Sequence, residues 1–140
     1  SPEEIYEHPL NSFVANFIGE NNALPGRVES SAGDTCRVRL DSGEEVDALP
    51  INPAADGRTL VSIRPERLRL APDTPDGGNR LRATVRETIY FGDHLRLHAQ
   101  MGDTPVMLKL PLAEAAGLAP GAALTLTVDT AHCRALDPRA

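Results

Sequence analysis

The sequence predicts an all-β fold, a small closed or nearly closed barrel of about seven or eight short strands, preceded by a short N-terminal helical segment. Two observations carry this prediction. From Gly26 onward the apolar residues recur at every second position, which is the period of strands rather than helices. Turn-forming residues separate these runs at regular spacing, and many short strands favour a barrel because closure removes exposed sheet edges.

Helical patterning is confined to the first 22 residues. The opening SPEE has the pattern of a capping box, and Pro9 would end this helix, so the chain is expected to begin within a longer protein. Asn11 can cap a second helix that ends at Gly19. We expect its apolar face to pack on the barrel. The alternative is that this face packs on a domain that is missing here and therefore drives self-association. The candidate packing face consists of Phe13, Val14, Phe17 and Ile18.

The front half of the predicted barrel, residues 23–71, contains short alternating strands. TCRVRLD places Cys36, Val38 and Leu40 on one face and two arginines on the other, and the turn SGE leads into EVDAL to complete a hairpin. TLVSIR and RLRLA follow, with Pro65 between them at a strand end or edge. PDTPDGGN is a connector over residues 72–79.

The back half, residues 80–137, has longer strands. RLRATVRETIYF and HLRLHAQM form a hairpin that turns near Gly92 and Asp93, with alternate apolar residues facing inward. VMLKL and ALTLTVD supply further strands, and HCRAL can close the set. The two halves share no residue pattern that aligns, so the sequence predicts no repeat.

Composition and charge disfavour two classes of partner. The net charge of -6 and the pI near 5.1 argue against nucleic acid and anionic lipid, because both require clustered positive charge. Tryptophan is absent, whereas barrels that hold single-stranded nucleic acid use stacked aromatics. No apolar run approaches the ~18 residues of a membrane span, and no signal peptide is predicted. Cys36 and Cys133 are expected to be buried thiols, with a disulfide as the alternative.

The sequence contains no pattern typical of catalysis or of a metal site. Lys109 is the only lysine and precedes a leucine, so there is no G-x-x-x-x-G-K-[ST] loop for nucleotide phosphates. His94 and His98 would lie ~13 Å apart on a strand, too far to share one zinc ion. No nucleophile stands in a G-x-S-x-G elbow. DSGEEVD, residues 41–47, is expected to be a solvated turn, with a hard cation or a cationic partner as the alternative.

Four stretches, SPEEIYEHPLNSFVANFIGENNALPGRV, VSIRPERLRL, TVRETIYFGDHLRLHAQ and LAPGAALTLTV, together resemble the C-terminal part of ATP-binding subunits of bacterial ABC importers. The resemblance is to the branch with polyamine, iron and sugar importers. It implies that residues 1–22 are the last helical part of an ATPase domain and that residues 23–140 are a transport-associated OB domain, called TOBE, with an OB-like barrel. The Walker and signature motifs of that family lie upstream, so the resemblance implies no catalysis and no cofactor for this chain, and ATP with Mg for a parent subunit.

The same resemblance implies a non-catalytic regulatory and assembly domain that holds two ATP-binding subunits together and tunes their cycle. The expected partners are a second copy, bound through the barrel or the N-terminal helix, the ATPase domain of the parent chain and, indirectly, the membrane subunits. The expected location is the cytoplasm, at the inner face of the bacterial plasma membrane. Polyamine is the preferred solute. The alternative is a sensor of the transported solute or of an oxyanion, for which the acidic net charge favours a cation.

A candidate interface or ligand surface follows from the residues that match the barrel motifs of the family. By pattern alone, SIRPERLRL fits two strands with charged outer faces, and a binding surface is the alternative. The candidate residues are Arg64, Glu66, Arg67, Tyr90, Gly92 and Asp93.

Overall fold

The computed structural model describes residues 21–71, 78–114 and 116–139. This part of the chain forms ten strands and three short 3-10 helices, at Pro65–Arg67, Leu112–Glu114 and Thr130–His132. The strands are β1 (Asn22–Ala32), β2 (Thr35–Leu40), β3 (Glu45–Pro50), β4 (Arg58–Ile63), β5 (Arg69–Leu70), β6 (Asn79–Phe91), β7 (His94–Met101), β8 (Thr104–Pro111), β9 (Ala123–Val128) and β10 (Arg134–Leu136).

The all-β, OB-like prediction is confirmed, but the predicted count of seven or eight strands is wrong, because the described residues form ten. Part of the difference is β1, which starts before the alternation becomes clear and contains Pro25 and Gly26. The predicted N-terminal helical segment and its packing face lie outside the described residues. Within the described residues, no helix has the length and hydrophobicity that a transmembrane segment needs.

Five strands close into a barrel in the order β1-β2-β3-β10-β4, with β4 returning to β1. The strand pairs are antiparallel, except that β10 runs parallel to β3. The barrel is therefore completed by a strand from the far end of the chain, the HCRAL segment that the sequence predicted would close the set.

The remaining strands form a five-stranded sheet in the order β5-β9-β6-β7-β8. Its order repeats that of the barrel if β10 is counted as the fifth strand of the first unit and β5 as the fifth strand of the second. The fifth strands are exchanged, because β5 leaves the front half to pair with β9, and β10 leaves the back half to pair with β3 and β4. Each unit thus depends on a strand of the other.

Irregularities of the backbone repeat as well. The pairing of β1 with β2 shifts by one residue after Val28, and the pairing of β6 with β7 shifts after Val85. Both valine N–H groups donate to carbonyls outside that pair, Val28 to Gly57 at 2.8 Å and Val85 to Ala122 at 2.9 Å. The duplication lies in the backbone, which explains why no residue pattern revealed it.

Two asparagines join the units reciprocally. The Asn22 amide accepts from the Met107 N–H at 2.7 Å and donates to the Met107 carbonyl at 2.9 Å, which links β1 to β8. The Asn79 amide makes the same two bonds with the backbone of Asp47, both at 2.9 Å, and links β6 to β3. The first strand of each unit, β1 or β6, is therefore hydrogen-bonded to the third strand of the other unit, β8 or β3.

The apolar interior runs through both units as one cluster. The predicted alternation is confirmed, since Cys36, Val38 and Leu40 are buried on β2 and the alternate residues of β6 and β7 are buried in the second sheet. Both cysteines are buried free thiols, which confirms the preferred expectation over a disulfide. The largest fully buried side chains are Leu24, Ile63, Leu68, Leu81, Leu95, Leu97, Met101, Leu108, Leu110, Leu126, Leu136 and Val38.

Candidate functional site

A polar pocket lies where the two exchanged strands begin. The 3-10 helix Pro65–Arg67 leads into β5, the 3-10 helix Thr130–His132 leads into β10, and the pocket of about 250 Å³ is lined from both. We call it the crossover pocket. Its lining residues are Asn21, Ser62, Arg64, Arg67, Ala131, His132 and Arg134.

Local structure fixes the two turns that line the crossover pocket. Pro65 pre-sets the backbone at the start of the first turn, where the Arg67 N–H donates to the Arg64 carbonyl at 2.9 Å. In the second turn the His132 N–H donates to the Asp129 carbonyl at 3.0 Å. The apolar residue after each turn is buried in the core, so the arginine and histidine side chains remain at the surface.

The crossover pocket concentrates positive charge in an acidic chain. Three arginines and one histidine line it, and no carboxylate is among its lining residues. On the pocket wall the Asn21 amide donates to the Ser62 hydroxyl at 3.4 Å. Arginine presents several N–H donors in a planar fork that matches oxygen-bearing anions. The residues that line this pocket are therefore suited to an anion, whereas the acidic net charge of the whole chain favoured a cation.

The structure divides the sequence-predicted candidate surface into two groups. Arg64 and Arg67 line the crossover pocket, whereas Glu66 lies between them on the exposed side of the turn and is not part of its lining. The other three residues, Tyr90, Gly92 and Asp93, lie at the end of the β6–β7 hairpin. These two groups are therefore candidates for separate roles.

The end of the β6–β7 hairpin is an aromatic and charged surface. The Phe91 and His94 rings stack at 5.0 Å between centroids, and the Arg96 guanidinium lies 5.1 Å from the Phe91 centroid. The His94 ring bonds the Asp93 carboxylate at 2.6 Å, and this bond lowers the pKa of Asp93 below its ordinary value. Tyr90 is 62% exposed. A surface of this composition fits a macromolecular contact better than a small-molecule site.

Sequence reasoning missed His132 and Arg134 in the crossover pocket, and Asn22 and Asn79 between the units. His132 carried no motif, and Arg134 stands only in the segment expected to close the barrel. The one sequence signal was Arg134 itself, which occupies the place in β10 that Arg69 occupies in β5. That single match becomes visible only when the two turns are aligned from the structure.

The acidic turn predicted over residues 41–47 has protein partners of its own. Glu45 and Asp47 pair with Arg37 at 3.4 and 3.2 Å. Glu44 accepts from the Arg82 N–H with both carboxylate oxygens at 2.9 Å. Among the described residues there is no group of three or more His, Cys, Asp or Glu that could hold a metal ion.

The buried thiols have the electrostatics of core residues. Burial raises the pKa of Cys133 to about 12, and it also raises the pKa of Cys36. A thiol is nucleophilic only as the thiolate. These two cysteines are therefore inert at neutral pH.

Comparison with known proteins identifies the family. A sequence model described as TOBE domain matches residues 61–136, more than half of the chain. The chain belongs to the TOBE domain family. This confirms the family that the sequence motifs indicated.

The curated relatives of this TOBE domain include ATP-binding proteins of polyamine import. The spermidine/putrescine import ATP-binding protein PotA of Rubrobacter xylanophilus is 36% identical, over 94% of this chain and 36% of the relative. PotA 1 of Pseudomonas aeruginosa is 37% identical, over 91% of this chain and 34% of the relative. The chain thus spans about a third of the length of these relatives.

A solved structure shares the fold of this TOBE domain. The cytoplasmic molybdate-binding protein ModG, with molybdate bound, superimposes with a TM-score of 0.72 over 84% of this chain and 96% of that chain. The sequence identity is 17%, so this similarity concerns the fold alone.

Proposed function

We propose that this TOBE domain is the non-catalytic regulatory and assembly domain of an ATP-binding subunit that serves polyamine import, and that it holds two such subunits together while their nucleotide sites open and close. The observation that carries the proposal is similarity over 94% of this chain to a spermidine/putrescine import ATP-binding protein. The expected partners are a second copy, the ATPase domain of the parent chain and, through it, membrane subunits at the inner face of the plasma membrane.

The way in which the two units are joined supports an assembly role. A domain that keeps two subunits together during a tong-like motion has to transmit force without deforming. Here the exchange of β5 and β10 and the reciprocal bonds of Asn22 and Asn79 tie the two units into one body. The exposed hairpin end supplies a surface for a partner.

Self-association tests the assembly role. The full chain should form a dimer in sedimentation velocity between micromolar and millimolar concentration. Added in excess to PotA of Rubrobacter xylanophilus, it should form mixed dimers and lower ATP hydrolysis, because a mixed dimer contains one nucleotide-binding subunit. A chain that stays monomeric and leaves that hydrolysis unchanged would refute the assembly role.

The crossover pocket favours a second candidate function, that of a sensor for a small ligand. The proposal of an oxyanion is supported by its three arginines and His132, and ModG shows that a protein of this fold binds molybdate. A polyamine carries positive charge, which these arginines would repel. The ligand of this pocket is therefore an anion rather than the solute of polyamine import.

A ligand panel tests the sensor function. Sulfate or molybdate should raise the melting temperature by several degrees, because a ligand at a hundred times its Kd adds about 2.7 kcal/mol to the free energy of unfolding. Spermidine, putrescine, ferric citrate, maltose and ATP complete the panel. The Arg67→Glu variant should lose the shift, whereas Arg69→Glu, on the adjacent strand outside the pocket lining, should retain it. No shift with either oxyanion would refute the sensor function.

A further inference from the structure

The crossover pocket includes the residue that stands just before β1. Ala23 of β1, Ser62 of β4 and Arg134 of β10 lie opposite one another in one row across three neighbouring strands. Asn21 precedes this row by two residues, and its amide donates to the Ser62 hydroxyl at 3.4 Å. Asn21, Ser62 and Arg134 all line the pocket. The pocket wall is therefore formed in part by the junction through which the chain enters the barrel.

Two neighbouring asparagines at this junction differ in how firmly they are held. The Asn22 amide bonds both the N–H and the carbonyl of Met107, and it also donates to the Ile63 carbonyl at 3.2 Å. The bond from Asn21 to Ser62 is long, and the Asn21 amide oxygen is buried without a hydrogen-bond partner among the described residues. A buried acceptor without a partner is unfavourable. Little is therefore lost when the Asn21 side chain turns toward a ligand, whereas Asn22 stays fixed.

The regular backbone pairing also begins at this point. Asn22 is the first residue of β1 and pairs with Ile63 of β4, whereas Asn21 lies outside the strand. Residues at the ends of elements are the ones that absorb the φ and ψ changes by which a chain is redirected. A change at Asn21 would therefore alter the direction of the chain before β1 and leave the barrel undisturbed.

The turns that line the crossover pocket do not require its positive charge. Arg64 and Asp129 occupy the same place before the two 3-10 helices, with φ and ψ of -68° and 141° at Arg64 and -71° and 144° at Asp129. Neither side chain caps its turn through a hydrogen bond. The same backbone conformation thus accepts either an arginine or an aspartate. The arginine lines the pocket although the turn forms equally well with an acid.

We propose that an oxyanion in the crossover pocket is bound by the Asn21 amide together with the arginines, and that it thereby controls the orientation of the chain just before β1. The inference rests on the sensor function proposed for this pocket and names how the bound state is transmitted. The N–H groups of Asn21 and the O–H group of Ser62 are donors that an anion accepts. A ligand that bonds one orientation of Asn21 better than another shifts the equilibrium toward it.

Nuclear magnetic resonance of the full isotope-labelled chain tests the contact with Asn21. Sodium sulfate is the probe, and sodium chloride at equal ionic strength corrects for screening. The side-chain amide signals of Asn21 and the backbone signals of Arg67 and His132 should shift saturably with one midpoint. The side-chain amide signals of Asn22 should move much less, because its bonds to Met107 are kept. The backbone signals of the residues before Asn21 should shift with the same midpoint as Asn21.

Three variants of the full chain test the transmission. Asn21→Ala should bind sulfate about tenfold more weakly, because it loses a hydrogen bond to a charged ligand, and the signals before position 21 should no longer follow sulfate. Arg64→Asp introduces the residue that the second turn has at the same place, so it should fold normally but bind sulfate about a hundredfold more weakly. Ser31→Ala, at the far end of β1, should bind sulfate like the wild-type chain. Circular dichroism should show that all three are folded.

The outcomes separate the transmission from the sensor function. If sulfate saturably shifts the signals of Arg67 and His132, but Asn21 does not respond or Asn21→Ala binds equally well, the transmission is refuted and the sensor function stands. If Asn21 responds and the residues before it do not, control of the junction is refuted. If no signal shifts saturably, both are refuted. One shared midpoint, its loss in Asn21→Ala and normal binding by Ser31→Ala would establish the transmission.

Discussion

Gly26 shows at the scale of one residue how closely two strands of this barrel approach. It lies within β1, and a Cβ atom at this position would stand 2.5 Å from the Arg39 carbonyl oxygen of β2. The contact is with backbone, which cannot rotate away as a side chain can. Glycine is therefore required here because there is no space for a Cβ atom. In the sequence, the two-residue period of the strands also begins at Gly26.

The substitution Gly26→Ala should lower the free energy of unfolding by about 1–3 kcal/mol, because β1 and β2 must separate to admit the methyl group. Gly92→Ala is the matched control, since a Cβ there would meet nothing within 4 Å. The control should change stability by less than ~0.5 kcal/mol. Urea denaturation measures both, and equal stability of the two variants would contradict the packing argument.

Side chains whose environment is set by alternation were predictable from the sequence. Cys36 and Val38 were expected inside, and they are buried, whereas Arg37 between them is exposed. The place of His132 in the crossover pocket was not predictable, because Arg64 and Arg67 of the same lining come from a turn more than sixty residues earlier in the chain. Local periodicity assigns a side chain to a face but says nothing about which distant side chains share it.

At the scale of strands, the joining of the two units depends on Asn22 and Asn79. Toward the other unit, each side chain donates one hydrogen bond and accepts one, and so pairs with the backbone N–H and carbonyl of one residue as a further strand would. An amide side chain is suited to this because it carries a donor and an acceptor side by side. No sequence motif distinguishes these asparagines from those of ordinary turns.

The substitution Asn79→Ala should lower the free energy of unfolding by about 1–3 kcal/mol, because it leaves the N–H and carbonyl of Asp47 without these partners. Asn22→Ala should cost a similar amount at Met107. Asn79→Asp keeps an acceptor but loses the donor, so it should not restore stability at neutral pH. Ser31→Ala, at the exposed end of β1, serves as the control in chemical denaturation. A change below ~0.5 kcal/mol for both alanine variants would show that the links contribute little.

At the scale of the whole molecule, the exchange of β5 and β10 makes the two units interdependent. The barrel is closed by residues of the back half, and the second sheet gains an edge strand from the front half. The connector expected between the halves therefore separates them in sequence only. Unfolding of either unit must expose core and strand edges of the other.

Separate production of residues 1–71 and 78–140 should therefore yield two chains that do not fold alone. The first would lack β10, leaving unpaired edges on β3 and β4, and the second would lack β5. When mixed, they should recover the β-sheet circular dichroism of the intact chain and one cooperative transition. A cooperative transition of either fragment alone would contradict the dependence on the exchanged strand.

The sequence by itself determined the β class, the inward and outward faces of the strands, the turn at Gly92 and Asp93, and the TOBE family, because each depends on local periodicity, turn chemistry or contiguous motifs. The tertiary structure alone decided the ten-strand division into a barrel and a sheet, the exchange of the fifth strands and the crossover pocket. These features depend on contacts between residues far apart in the chain. The energy of such a contact depends on both partners and on their relative position, so it cannot be inferred from either segment alone.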